Sequence, residues 1–429
     1  MQVKHSKPTD TEAIVTVNLT DKELEEIKKT VLSKFAKKVK VPGFRDGKAP
    51  YNMVEKQLEP SIFQSEFLEE AINQTYPQVI NLEKLRVVGQ PQISIKKFVP
   101  FDTLEYEARV PVVGSIKIAD YKKIKVQKPA VSVSAKEVED VINSLKKRMA
   151  EKKDVKRATK ETDQVWIDFK GVDQKGKAVN GADGKDYPLV LGSNTFIPGF
   201  EENLTGLKQG DEKSFTLTFP KDYGLKAMAN KKVTFTVKVK KVQEVIEPKV
   251  NDDFAKKSGP FESLKQLKLD IKKQLTHEKE TQAEKDFESE IVRKITDESE
   301  VAIPKVLIDE QQAIMLNEFK QNLTYRGQTY NEYLESRGLS EEDFIKKEIN
   351  QQAEDRVKAS LVLSEISEVE KIDLTMDEVN DRIKQLKAQY QDPAMRDELD
   401  KPENVNNIAS RIVTEKTVAK LKDFCTKNK

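Results

Sequence analysis

Apolar positions recur along this chain with two different periods. From 12 to 19, "EAIVTVNL" alternates every second residue, the pattern of a strand with one buried face. Thr20 then opens a helix, with Glu23 three residues on as its capping-box partner. Leu24, Ile27, Val31, Phe35 and Val39 follow at helical spacing and mark one buried face. "VPGFRDGKAP" (41–50) ends that helix with two prolines and two glycines. Helical periodicity resumes from Tyr51 to near Leu85, with a break expected near Pro60. Strand-like runs at 92–98 and 104–112 complete an α+β unit.

Residues 113–150 read as a connector: an extended stretch, "IKVQKPAVSVS", then a charged helix opened by Ser134 with Glu137 as its box partner. The texture then changes. Nine of the sixteen glycines fall within 163–245, between the alternating runs "VWIDFKG", "KSFTLTFP" and "KVTFTVKVKKV". Short strands with glycine turns predict a compact β-rich domain. After Pro248 helical periodicity takes over. Leu264, Leu267, Ile271 and Leu275 form one stripe, and Ile345, Ile349, Ala353, Val357 and Leu361 another. Thr375 and Glu378 form a further capping box ahead of Val379, Ile383, Leu386 and Tyr390. These helices are charged and thinly striped, so each buries one side only.

Composition narrows the function classes. The 429 residues suit about three domains. Lys+Arg number 75 and Asp+Glu 73, so whole-chain charge selects no partner and only local runs carry information. One such run spans Lys28 to Lys48, with Lys28, Lys29, Lys34, Lys37, Lys38, Lys40, Arg45 and Lys48 against Asp46 alone. The single cysteine, Cys425, excludes an internal disulfide and a cysteine-based zinc cage. Two histidines, His5 and His277, leave almost no material for a zinc site or a histidine-based triad. The first residues lack the apolar core of a signal peptide, and no run approaches a membrane span. A soluble cytoplasmic protein is expected.

The segment from Tyr187 to Gly224 gathers Tyr187, Phe196, Ile197, Phe200, Phe219 and Tyr223, with Phe169 and Val179 upstream and Phe235 downstream. No acid, base or nucleophile stands among them in a recognisable arrangement. Periodicity alone leaves an ordinary β-domain core as the simpler account. "VLGSNTFIPGFEENLTGLKQGD" (190–211), however, resembles the pocket-forming segment of FK-type, macrolide-binding peptidyl-prolyl isomerases. The resemblance sets Phe196 and Ile197 at the pocket edge and Phe200 on an aromatic floor. Phe169, Tyr187, Tyr223 and Phe235 fall on surrounding aromatic positions. Val179 stands where relatives often carry phenylalanine, and Asn180 where many carry an acid.

Such a pocket suits the chemistry. Rotation about a peptide bond costs about 18–20 kcal/mol because resonance is lost. A twisted imide has a less polar oxygen than a planar one, so a dry aromatic pocket disfavours the planar ground state relative to the twisted one. The resemblance implies that the Ile197 N–H anchors the peptide and that the Tyr223 hydroxyl reaches a carbonyl. No covalent intermediate is needed.

"GFRDGKAP" (43–50) resembles the ribosome-docking signature of the bacterial trigger factor family. Gly43, Phe44, Arg45, Gly47, Lys48 and Pro50 match; Asp46 stands where lysine is common. "VAIPKVLIDEQ" (301–311) and "QYQDPAM" (389–395) resemble C-terminal segments of the same family. The implied fold class is multidomain α+β. It comprises a ribosome-binding α+β domain (1–112), a linker packing on the C-terminal domain (113–150), an FK-type β-sheet-plus-helix isomerase domain (151–246) and an all-α chaperone domain with helical arms forming a substrate cradle (247–429). The implied function is to hold nascent polypeptides at the exit tunnel and isomerise X–Pro bonds, with links to protein transport and cell division. The implied partners are a large-subunit ribosomal protein, rRNA, and nascent and unfolded polypeptides, with no membrane and no cofactor; a homodimer off the ribosome stays open. A chaperone whose isomerase-like domain only binds clients is the alternative, favoured by Val179 and Asn180. A free nucleic-acid binder fits poorly, because net charge is near zero and no RNA-stacking motif is present.

Overall fold

The structure is a computed structural model that describes every residue except 46–47, 222, 224–227 and 427–429, and the side chain of Asn180. The chain divides into two compact units, residues 1–128 with 286–429, and residues 129–285.

The first unit begins with strands β1 (Gln2–Thr9) and β2 (Glu12–Leu19), then helices α1 (Asp21–Ala36), α2 (Tyr51–Lys56) and α3 (Pro60–Leu82), strands β3 (Gln92–Val99) and β4 (Thr103–Pro111), and the short β5 (Ile116–Lys117). Four strands form an antiparallel sheet in the order β1-β2-β4-β3. The period-2 pattern of β2 and β4 turns Ala13, Val15, Val17, Leu19, Leu104, Tyr106, Ala108 and Val110 inward against α1 and α3. Tyr106 is fully buried, and its hydroxyl meets Thr75 Oγ1 at 2.8 Å, which satisfies both groups. The Thr20–Glu23 capping box forms as expected. The break near Pro60 is also present, with Pro60 as the first helical residue of α3, where its missing N–H costs nothing. The Lys37 cap ends α1 two residues before Val39, so the apolar stripe outruns its helix. β1 gives no periodic signal because it is an edge strand exposed on both faces.

The second unit holds α4 (Ala135–Arg148), strands β6 (Glu151–Asp154), β7 (Gln164–Val172), β8 (Ala178–Val190), β9 (Glu212–Thr218) and β10 (Lys232–Ile246), helix α5 (Asp252–Ser258) and the start of α6 (Leu264–Glu298). The strands form one antiparallel sheet, β6-β10-β7-β8, with β9 on β10. Its apolar face packs on a short 3-10 turn at Glu202–Leu204 and the loops around it. Val138 and Ile142 of α4 share a separate core with Phe254, Leu267 and Ile271.

The remaining elements belong to the first unit: β11 (Glu300–Val301), which pairs with β5, and helices α7 (Lys305–Tyr325), α8 (Tyr330–Arg337), α9 (Glu341–Phe344), α10 (Asn350–Val369), α11 (Met376–Lys387), α12 (Pro393–Glu398) and α13 (Pro402–Cys425). Tyr121, Ile124 and Val126 pack with Ile291, Ile295, Val362, Ile366, Leu421 and Cys425. A π-helical turn at Ile345–Ile349 leads into α10. Ile349, Ala353 and Val357 are buried as expected, but Leu361 is half-buried and burial passes to Val362, Leu363 and Ile366, because a strict four-residue step drifts round a helix of 3.6 residues per turn. Tyr390 lies past the end of α11 and is exposed, unlike Val379 and Ile383. Among the described residues, no helix is long and apolar enough to cross a membrane.

Candidate functional site

Strands β7, β8 and β10 and the loops around Ile197 and Tyr223 converge on a cavity of about 450 Å³. Phe169, Tyr187, Phe196, Ile197, Phe219, Tyr223 and Phe235 line it, so seven aromatic or branched residues singled out from the sequence meet in one place. Their rings meet mostly edge to face. Phe169 lies 5.9 Å from Tyr187 and 5.4 Å from Phe196, both near perpendicular, and Phe219 lies 4.7 Å from Tyr223. Edge-to-face pairs set the positive rim of one ring on the negative face of the next, each worth about 0.5–1.5 kcal/mol beyond burial. Pleat register explains why Phe169 can lean into the cavity: it faces Gly184 across the β7–β8 pair. A Cβ on Gly184 would stand 2.6 Å from the Phe169 ring.

Phe200 differs from the sequence expectation. It is fully buried and does not line the cavity. Its ring lies one layer beneath, 5.3 Å from both Phe215 and Phe235, and supports the wall from behind. Val179 is partly buried against the same core. Asn180's side chain lies outside the described residues.

Two residues of the lining carry a polar group without an intramolecular partner. The Ile197 N–H and the Tyr223 hydroxyl make no hydrogen bond among the described residues. Sequence reasoning missed Asp183, the sole charged residue of the lining among the described residues. Its signal is absent because it falls in an irregular strand where alternation is broken by register shifts.

A second candidate lies in the first unit. The loop from Val41 to Ala49 has both feet buried in the core, while Phe44 between them is 45% exposed. Gly43 takes a φ of +86°, a left-handed conformation that glycine reaches without cost, and the Phe44 N–H closes a turn on the Val41 carbonyl at 3.1 Å. Asp46 and Gly47 lie outside the described residues. The basic run is smaller in space than in sequence. Lys28 pairs with Glu55, Lys29 with Glu25 and Lys34 with Glu70. Lys37, Lys38, Lys40, Arg45 and Lys48 make no ion pair among the described residues, so the available cations gather at the loop.

Comparison with known proteins bears on both sites. Residues 1–145 match the model for bacterial trigger factor protein, 155–240 that for FKBP-type peptidyl-prolyl cis-trans isomerase, and 263–423 that for the trigger factor C-terminus. Trigger factor of Caldicellulosiruptor bescii is 35% identical over 391 residues, which cover 91% of this chain and 89% of its own. The chain belongs to the trigger factor family. Trigger factor of Natranaerobius thermophilus is 33% identical over 95% of this chain and 92% of its own. A solved structure from work on promiscuous substrate recognition by the trigger factor chaperone covers 99% of both chains at 20% identity with a TM-score of 0.51, a likeness of fold. As a trigger factor, the protein is a ribosome-associated chaperone for nascent chains, and its FKBP-type domain is a peptidyl-prolyl isomerase.

Proposed function

We propose that this trigger factor isomerises X–Pro bonds in the aromatic cavity of its second unit and docks on the ribosome through the loop at Phe44. The observation that carries the first half is the partnerless Ile197 N–H beside an aromatic lining. A client carbonyl accepts from that N–H, and the proline ring enters among Phe169, Phe219, Tyr223 and Phe235. The walls exclude water, so the planar imide loses the solvation that favours it, while the twisted imide loses less. The Tyr223 hydroxyl donates to a neighbouring carbonyl. Each 1.4 kcal/mol or so of such differential stabilisation gives about tenfold in rate. No bond to carbon forms or breaks, which agrees with a lining free of paired acid and base among the described residues.

Docking uses a different physics. Phe44 enters an apolar recess on a large-subunit protein, and Arg45 pairs with a carboxylate there through two parallel N–H donors. Lys37, Lys38, Lys40 and Lys48 meet rRNA phosphates, a contact that weakens as salt rises. Because Val41 and Ala49 anchor both feet of the loop, little conformational entropy is lost on binding. The site of action is the cytoplasm, where nascent chains emerge.

Two measurements test this reading. Refolding of a protein limited by prolyl isomerisation should accelerate with wild type and much less with Tyr223→Phe or Phe196→Ala; equal acceleration by all three rejects the cavity as the site. Co-sedimentation with ribosomes should fail for Phe44→Ala/Arg45→Ala, and undiminished sedimentation rejects the loop. Sedimentation of the free chain over a concentration series reports whether two copies pair off the ribosome.

A further inference from the structure

The loop that carries Phe196 and Ile197 has a cavity on each side. The aromatic cavity lies on one, and a second cavity of about 660 Å³, bordered by Glu161, Asn194, Glu201, Glu202 and Thr205, lies on the other. Phe196, Ile197 and Pro198 border both, so this stretch is a thin partition. Its backbone is irregular. Gly192 and Asn194 both have positive φ, +86° and +54°. The amides of Gly192, Asn194, Thr195 and Phe196 reach no backbone carbonyl. The half-buried Phe196 amide requires an acceptor, and although water can serve the exposed amides of Gly192, Asn194 and Thr195, only a protein acceptor fixes the segment.

Glu201 supplies the acceptors. Its carboxylate receives Gly192 N–H at 2.7 Å, Asn194 N–H at 3.2 Å, Thr195 N–H at 2.9 Å and Phe196 N–H at 3.4 Å. The hydroxyls of Ser193 and Thr195 add contacts at 3.2 and 3.4 Å. A carboxylate offers about four lone-pair sites over two oxygens, so these contacts saturate it. Burial pushes the Glu201 carboxyl up, but the amides of Asn194, Phe196, Gly192 and Thr195 outweigh burial and hold it below the ordinary range. The group is therefore an anion at neutral pH, and all its contacts are charge-assisted. Its chain neighbour Phe200 lies directly under Phe196. Two consecutive residues thus hold the partition, Phe200 by ring contact and Glu201 by its carboxylate on the partition's amides.

We propose that Glu201 is a positioning residue for prolyl isomerisation: its carboxylate holds the 192–196 segment so that the Phe196 ring and the Ile197 N–H are ordered before the client arrives. The inference rests on the aromatic cavity being the isomerase site. Without the tether the partition samples other arrangements, and only a fraction of molecules presents the binding pose. Apparent affinity then falls by that fraction, while a molecule that has bound turns over normally. The signature is a raised KM with kcat retained. General destabilisation would do the reverse, lowering kcat through loss of active molecules while leaving KM alone.

The test uses the full chain and an X–Pro tetrapeptide, with wild type and Glu201→Gln compared. The amide keeps the volume but replaces one acceptor oxygen with a donor that opposes the loop amides. We expect KM to rise about tenfold with kcat within about twofold of wild type. The unfolding midpoint read from Trp166, the only tryptophan, should stay near the wild-type value. Unchanged KM overturns the proposal, as does a fall in kcat accompanied by a lowered midpoint. Amide hydrogen exchange on the wild type supplies a second readout that needs no variant: Gly192, Asn194, Thr195 and Phe196 should exchange at least about tenfold more slowly than unprotected amides. Unprotected rates there overturn the proposal even if Glu201→Gln fails to fold. If wild type itself does not accelerate the tetrapeptide, the reading of the cavity fails instead, and the exchange data still decide the tether.

Discussion

The rings of Phe196 and Phe200 lie 4.3 Å apart with their planes tilted by 30°, and only the outer ring borders the cavity. The two positions should therefore respond differently to truncation. Phe200→Ala removes a fully buried ring and should cost about 3–5 kcal/mol of stability, read as a lower urea midpoint at Trp166, and lose isomerase activity with it. Phe196→Ala should lose isomerase activity with a much smaller shift in midpoint. Equal midpoint losses would mean that Phe196 is as much a core residue as Phe200.

Gly184 makes room for the Phe169 ring. With a Cβ expected 2.6 Å from that ring, Gly184→Ala must push it toward Tyr187 and Phe196. Overpacking of this kind costs about 1–3 kcal/mol. The displaced ring narrows the cavity, so kcat/KM for a prolyl peptide should fall severalfold while ribosome co-sedimentation stays as in wild type. Unchanged kcat/KM would mean that the ring can move without consequence.

A buried carboxylate paired with a half-exposed arginine makes the second unit sensitive to acid. Asp163 is 2% exposed and accepts from Arg157 at 2.5 and 3.0 Å and from the Lys160 N–H at 2.9 Å. Burial pushes its carboxyl up, but Arg157 and the Lys160 amide outweigh that and leave it below the ordinary value of 3.8. A carboxyl lowered on folding contributes stability that is full above its unfolded value and is lost as pH falls through the folded one. The midpoint at Trp166 should therefore fall below pH 4. Asp163→Ala leaves Arg157 its Glu244 partner but removes the buried acceptor of the Lys160 N–H, so it should lower the midpoint at neutral pH and flatten that acid limb. An acid limb that persists in the variant would assign it to other carboxyls.

The docking loop allows a charge test. Asp46 repels phosphate, so Asp46→Lys should tighten ribosome binding and steepen its salt dependence, by a slope of about 0.7–0.9 per added phosphate contact. Lys28→Ala should matter far less than Lys40→Ala, because Lys28 is held by Glu55 at 2.7 Å and lies over the Phe101 ring. Co-sedimentation across a salt series checks both; equal losses for the two lysines would return the whole helix face to the docking surface.

Much of the fold was legible because burial follows period. Ala13, Val15 and Val17 alternate into the core, and the boxes at Thr20, Ser134 and Thr375 start helices where the sequence marks them. What escaped was set by tertiary contact. Glu25 on the same helix and Glu55 and Glu70 brought in from elsewhere neutralise lysines that look free when only Lys28–Lys48 is counted. The stripe read at 345–361 steps by four throughout, and its drift round a helix of 3.6 residues per turn hands burial from Leu361 to Val362. At the candidate site the aromatic residue types were visible, but depth was not: Phe196 and Phe200 look alike in a string of letters and occupy different layers. Glu201 was invisible for another reason, since four amides converging on one carboxylate leave no trace in residue spacing.

A lining that works by solvation and ring contact has a thermodynamic corollary. It lowers one barrier between two isomers and therefore speeds the forward and reverse crossings by the same factor. The ratio of cis to trans at the end belongs to the client, whose own folding withdraws one isomer from the pool. This protein, on that account, acts as a lubricant for proline rotation and leaves the choice of destination to the chain it serves.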